Sequence, residues 1–175
     1  MAATDSAHAP RVRPDLAFLR AHPAHLIALG FGAGLMRPGP GTWGTAAAWV
    51  LYAGLAVVLD LSLPAQTLIG LVALVSGTWA AGRAGAALGE EDAREIVVDE
   101  MVAFWWVLLL LPRGGQPWLL QTVAFLLFRV FDIFKPVPIA WMERRWRNAL
   151  GVMLDDLMAG AYTVLVITLW LLLER

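Results

Sequence analysis

Leu154-Asp155-Asp156-Leu157-Met158-Ala159-Gly160-Ala161-Tyr162-Thr163-Val164-Leu165-Val166-Ile167-Thr168-Leu169-Trp170-Leu171-Leu172-Leu173 decides the fold. The seventeen residues 157–173 carry no charge, and as a helix they would cover about 26 Å, close to the thickness of a hydrocarbon core. Two acids stand immediately before them. Four further apolar segments precede this one, at residues 46–63, 66–82, 96–111 and 118–131. Ser62-Leu63-Pro64 joins the first two as a tight hairpin, and Pro112-Arg113-Gly114-Gly115 stops the third, since proline cannot continue a helix. The expected fold is therefore all-α: a polytopic helical membrane protein of about five apolar segments.

Composition agrees. Of 175 residues, 59% are hydrophobic and 15% charged, with a mean hydropathy of +0.67, whereas soluble domains are about half apolar and a quarter charged. Nine tryptophans suit a chain that meets the water–lipid interface. The net charge of −1 says nothing about partners, and no basic stripe suggests nucleic acid. There is no cysteine, which excludes disulfides, cysteine-ligated zinc and thiol nucleophiles. The three histidines, His8, His22 and His25, all lie near the N-terminus, far from the other candidate groups.

Residues 1–28 read as a flexible or interfacial N-terminal arm without a convincing signal-cleavage site, and residues 29–175 as one helical membrane domain. Arg11, Arg13, Arg20 and Arg37 precede the first segment, and Lys135, Arg144, Arg145 and Arg147 lie between the fourth and fifth. The opposite side receives Arg113 and Arg175. This is the positive-inside distribution, and it assigns the N-terminus, the loop 83–95 and the loop 132–150 to the cytoplasmic side.

Three constellations share that side. Val98-Asp99-Glu100-Met101-Val102-Ala103 and Leu154-Asp155-Asp156-Leu157-Met158-Ala159 repeat one pattern, apolar, two acids, two apolar, alanine. Each pair is expected to open its helix, where the dipole favours carboxylates by about 0.3–1 kcal/mol. Capping alone explains one such pair better than two. Four acids with few adjacent bases call for a cation, and oxygen donors without His or Cys select Mg²⁺, Mn²⁺ or Ca²⁺ over zinc. The second constellation is Met36-Arg37-Pro38-Gly39-Pro40-Gly41-Thr42-Trp43-Gly44-Thr45. Its Gly39, Gly41 and Gly44 free backbone N–H groups to face an anion, and Thr42 or Thr45 offers a hydroxyl. It lacks the lysine of a P-loop, and an ordinary Pro/Gly turn remains the simpler alternative. In the third, Arg129, Asp132 and Lys135 recur every three residues and share a helix face. They pair a bidentate phosphate ligand and a point charge with a further metal ligand or orienter. Glu143 with Arg144, Arg145 and Arg147 reads as a solvated stretch able to touch anionic headgroups.

Taken together, Pro40-Gly41-Thr42-Trp43-Gly44-Thr45, Asp99-Glu100, the run 128–139 and the run 151–160 resemble the phosphatidylglycerophosphatase A family from Gly30 onward. The resemblance implies a Mg²⁺-dependent phosphatase of the bacterial inner membrane that converts phosphatidylglycerophosphate to phosphatidylglycerol and phosphate on the cytoplasmic face. In that scheme Asp99, Glu100, Asp155 and Asp156 hold the metal, with Asp132 as a possible further catalytic group. Arg129, Lys135 and the 39–45 loop meet the phosphate. Two other classes remain: CDP-alcohol-type Mg²⁺-dependent headgroup transferases, which also gather acids at helix ends but whose DGxxAR…GxxxDxxxD signature is absent, and small ion transporters, whose acids belong near the midplane. Oligomeric state is not encoded in any of these features.

Overall fold

The computed structural model describes residues 12–112, 117–137, 139, 146 and 148–174, and every regular element among them is helical. Arg11, Arg113, Arg144, Arg145, Arg147 and Arg175, used above to read topology, lie outside the described residues, as do His8 and Glu143.

Two short helices come first, α1 (Leu16–Ala21) and α2 (Pro23–Ala28), followed by a 3₁₀ turn at Gly30–Leu35. Leu19, Ala24 and Ala28 are buried in one cluster with Ala80, Ala81 and Ala84, so this part of the expected arm is docked on the bundle. Helix α3 (Pro40–Tyr52) starts from Gly39, whose φ of 68° is left-handed, and runs on as a π-helical stretch, Ala53–Val58. Proline at the first helical position costs no hydrogen bond, because that N–H has no intrahelical partner. Helix α4 (Leu63–Leu88) ends on Gly89 at φ 76°, and α5 spans Val98–Leu110. Helix α6 (Pro117–Phe134) stops before Pro136. Helix α7 (Ala149–Leu173) is capped by Asn148, whose side chain accepts from Gly151 N at 2.9 Å.

Among the described residues, the five apolar segments resolve into three helices long and apolar enough to cross a membrane, α4, α6 and α7, and the shorter α3 and α5. Helix α5 has thirteen residues, about 20 Å, because the acids at its start and Pro112 beyond its end confine it. It is the centre of the molecule, packed against α3, α4 and α7. Phe104 is fully buried, ringed by Trp49, Phe125 and Phe128. At the far end Trp105 Nε1 donates to Gln66 O at 3.1 Å, and Trp49 Nε1 to Gln121 Oε1 at 2.6 Å.

One expectation needs correction. Asp99 and Glu100 do sit in the first turn of α5, but α7 starts at Ala149, so Asp155 and Asp156 lie beyond its first turn. The dipole supports the first pair and not the second. What compensates Asp155 and Asp156 has to be tertiary.

Candidate active site

The starts of α3, α5 and α7 and the end of α6 meet at one end of the bundle around a cavity of about 250 Å³. Gly39 and Gly41 line it from α3, Asp99 and Glu100 from α5, and Arg129, Asp132 and Lys135 from α6. Asp155 and Asp156 reach it from α7, and Asp92 and Arg94 from the loop after α4. The three constellations, far apart in sequence, thus form one chamber.

Each wall is set by local chemistry. Asp99 is buried and its Oδ1 accepts from Glu100 N at 3.0 Å. Glu100 Oε1 lies 3.6 Å from Arg129 Nη1, and Oε2 is buried without a hydrogen-bond partner among the described residues. Gly41 makes this approach possible, since a β-carbon there would collide with Glu100 Oε1 and crowd the Arg129 guanidinium. Thr45, fully buried, donates its hydroxyl to Gly41 O at 2.9 Å and accepts from Arg129 Nη1 at 3.3 Å. The guanidinium is completed by Asp132 Oδ2 at 2.8 Å, one turn along α6. Its Nε has no hydrogen-bond partner among the described residues. Lys135 sits at the end of α6 with φ 40°, displaced from the helical region by the proline that follows, and its Nζ lies 3.9 Å from Asp155 Oδ2.

Not every candidate lines the chamber. Gly44 lies against Val97 and serves the packing of α3 on α5, and Thr42 is exposed. Ligand oxygens of Asp99, Glu100 and Asp156 all lie within 4.8 Å of one another. Asp155 is not in that trio and faces Lys135 instead. Sequence reasoning missed Asp92 and Arg94. They belong to the charged cluster 90–95, whose position just ahead of Asp99-Glu100 was the signal available.

Three carboxylates at this spacing repel one another, and burial deprives them of the water that would screen them. The Arg129 guanidinium is already shared with Asp132. An oxygen-only donor set carrying an orphaned buried carboxylate oxygen fits a hard divalent cation. Beside it, Arg129 supplies a fork suited to phosphate oxygens.

The phosphatidylglycerophosphatase A family matches residues 26–171 of the chain. A phosphatidylglycerophosphatase A of Haemophilus influenzae is 37% identical over 146 residues, 83% of this chain and 87% of that protein. The Escherichia coli protein of the same name is 34% identical over 141 residues, 79% of this chain and 78% of that one. A Bacteroides thetaiotaomicron protein, provisionally named a phosphatidylinositol-3-phosphatase, is 38% identical over 144 residues, 81% of this chain and 89% of its own. No solved structure matches.

Proposed function

The chain belongs to the phosphatidylglycerophosphatase A family, and on that premise we propose that it hydrolyses the terminal phosphomonoester of phosphatidylglycerophosphate. The products are phosphatidylglycerol and inorganic phosphate, and the reaction is Mg²⁺-dependent. The observation that carries this reading is the convergence of Asp99, Glu100 and Asp156 beside Arg129 in one chamber.

Asp99, Glu100 and Asp156 are the residues that would hold Mg²⁺, with Asp132 and Asp155 bordering them. When bound there, the ion polarises non-bridging phosphate oxygens and lowers the pKa of a coordinated water. Arg129 binds the phosphoryl oxygens and stabilises the charge that moves onto them. Asp132 and Thr45 hold its guanidinium in place, so little ordering remains to be done when the substrate arrives. Lys135 and the Gly39–Gly41 backbone, which line the same chamber, add positive potential. In the balance of the reaction, water oxygen bonds to phosphorus and the bond from phosphorus to the glycerol oxygen breaks. One chamber carboxylate takes the proton that water loses, and the departing glycerol oxygen regains one.

Helices α4, α6 and α7 would keep the protein in the bacterial inner membrane. Arg13, Arg37 and Arg94 near the chamber end favour a cytoplasmic orientation. The diacyl tails then stay in the bilayer while the phosphomonoester enters the chamber. A headgroup transferase or an ion transporter is not favoured by the family. The name of the Bacteroides relative keeps phosphatidylinositol 3-phosphate on the substrate panel, because it too carries a phosphomonoester on a lipid headgroup. The test is phosphate release by purified protein from each lipid. Release from phosphatidylglycerophosphate is expected, and headgroup exchange or ion flux without it would overturn the proposal.

A further inference from the structure

Beside the acidic chamber lies a second cavity of about 680 Å³, lined by Arg13, Arg37, Pro38, Gly39, Pro40, Arg94 and Glu95. The two are contiguous. Gly39, Pro40 and Arg94 line both, and Glu95 of the second cavity is followed by Ile96 of the first. Their charges are opposite. The chamber holds six carboxylates against Arg94, Arg129 and Lys135, whereas the neighbouring cavity holds three guanidiniums against one carboxylate. That carboxylate, Glu95, is buried and lies 3.6 Å from Arg37 Nη2. Among the described residues Arg13 and Arg94 make no ion pair.

The basic rim is built on fixed backbone. Glu95 O occupies the space where a side chain on Gly34 would stand, which seats the Arg94-Glu95 loop against the 3₁₀ turn. Ile96 N donates to Ala93 O at 2.8 Å, closing the turn, and Val97 N to Ala28 O at 2.9 Å, tying its C-terminal end to α2. Gly39, in the left-handed region, turns the chain between Arg37 and α3.

Two guanidiniums that make no ion pair among the described residues, in a concave site opening onto a carboxylate chamber, describe a subsite for a second anion of the same ligand. The geometry points to a phosphodiester-recognition subsite formed by Arg13, Arg37 and Arg94, which holds the bridging phosphate of the lipid while its terminal phosphomonoester lies in the chamber. This rests on the function proposed above and deepens it. The substrate class it selects is a phospholipid whose headgroup ends in a phosphomonoester beyond a phosphodiester. A phosphomonoester attached directly to an alkyl or diacylglycerol body gains nothing from it. Arginine suits the task because its fork engages two oxygens of a phosphodiester at once. Arg94, shared by both cavities, stands where the two phosphates are nearest.

The test uses the full purified chain in uncharged detergent micelles, which removes any attraction of arginines to an anionic surface. Phosphate release is followed from phosphatidylglycerophosphate and from decyl phosphate, a phosphomonoester lacking the diester. The Arg13→Gln/Arg37→Gln double variant is expected to raise KM for phosphatidylglycerophosphate by about tenfold or more, with kcat little changed, and Arg94→Gln to raise KM by a similar factor. With the double variant, KM for decyl phosphate should stay within about twofold of wild type, which also shows that the variant is folded. Arg94→Lys should recover part of the loss, keeping the charge without the fork. An unchanged KM for phosphatidylglycerophosphate overturns the subsite, as does an equal loss on both substrates. Wild-type protein that hydrolyses both substrates with equal kcat/KM overturns the subsite while leaving the phosphatase reading intact. Failure to release phosphate from either substrate overturns both.

Discussion

Arg129 Nη1 lies 2.8 Å from Asp132 Oδ2, one helical turn along α6, and both side chains are largely buried. A guanidinium held this way is not a snorkelling helix end. Asp132 fixes its direction, Thr45 supports it from α3, and Glu100 approaches it from α5, so three helices agree on where this guanidinium points.

Gly41→Ala tests the closest of these approaches. A β-carbon at Gly41 would collide with Glu100 Oε1, while alanine inside a helix is favoured over glycine by about 1 kcal/mol. The variant should remain folded and membrane-inserted yet lose about 100-fold in kcat, because small displacements in a preorganised site are costly. Detergent-extracted protein with wild-type melting and wild-type turnover would show that the carboxylate position does not matter.

Thr45→Val separates support from contact. The hydroxyl bonds Gly41 O and Arg129 and is fully buried. Its loss should lower kcat/KM by about tenfold, and Thr45→Ser should restore most of it. Steady-state kinetics on the two variants decides this, and equal defects in both would assign Thr45 to packing.

The two acids of the α7 pair should differ. Asp156 belongs to the trio with Asp99 and Glu100, whereas Asp155 faces Lys135. Asp156→Asn should reduce hydrolysis by about 100-fold or more and raise the Mg²⁺ concentration needed for half-maximal rate. Asp155→Asn should alter that Mg²⁺ dependence much less. Indistinguishable Mg²⁺ titrations for the two variants would mean that all four carboxylates act as one set.

Much of this was legible in the sequence, for identifiable reasons. Helical class followed from the charge-free runs, and proline punctuation marked the hairpin at Pro64 and the stop at Pro112. The three-residue spacing of Arg129, Asp132 and Lys135 predicted their shared face, and all three line the chamber. The start of α7 was not legible. Asp155-Asp156 looked like a helix opening because charge usually ends an apolar run, yet Asn148 caps the helix earlier and Lys135 lies opposite Asp155. The burial of α5 was hidden too, since an apolar run packed by helices and one packed by lipid have the same composition. The Arg13, Arg37 and Arg94 cavity is assembled from three distant segments, and no local pattern announces it.

The central claim is that the Asp99, Glu100 and Asp156 cluster supports divalent-metal-dependent hydrolysis of a lipid phosphomonoester. Its most direct test is inorganic phosphate release from phosphatidylglycerophosphate by the purified full chain, measured with Mg²⁺, after EDTA, and after Mg²⁺ is restored. Saturable release that disappears on chelation and returns with Mg²⁺ is the predicted result; undiminished release by the metal-free protein, or none with Mg²⁺ present, would contradict it.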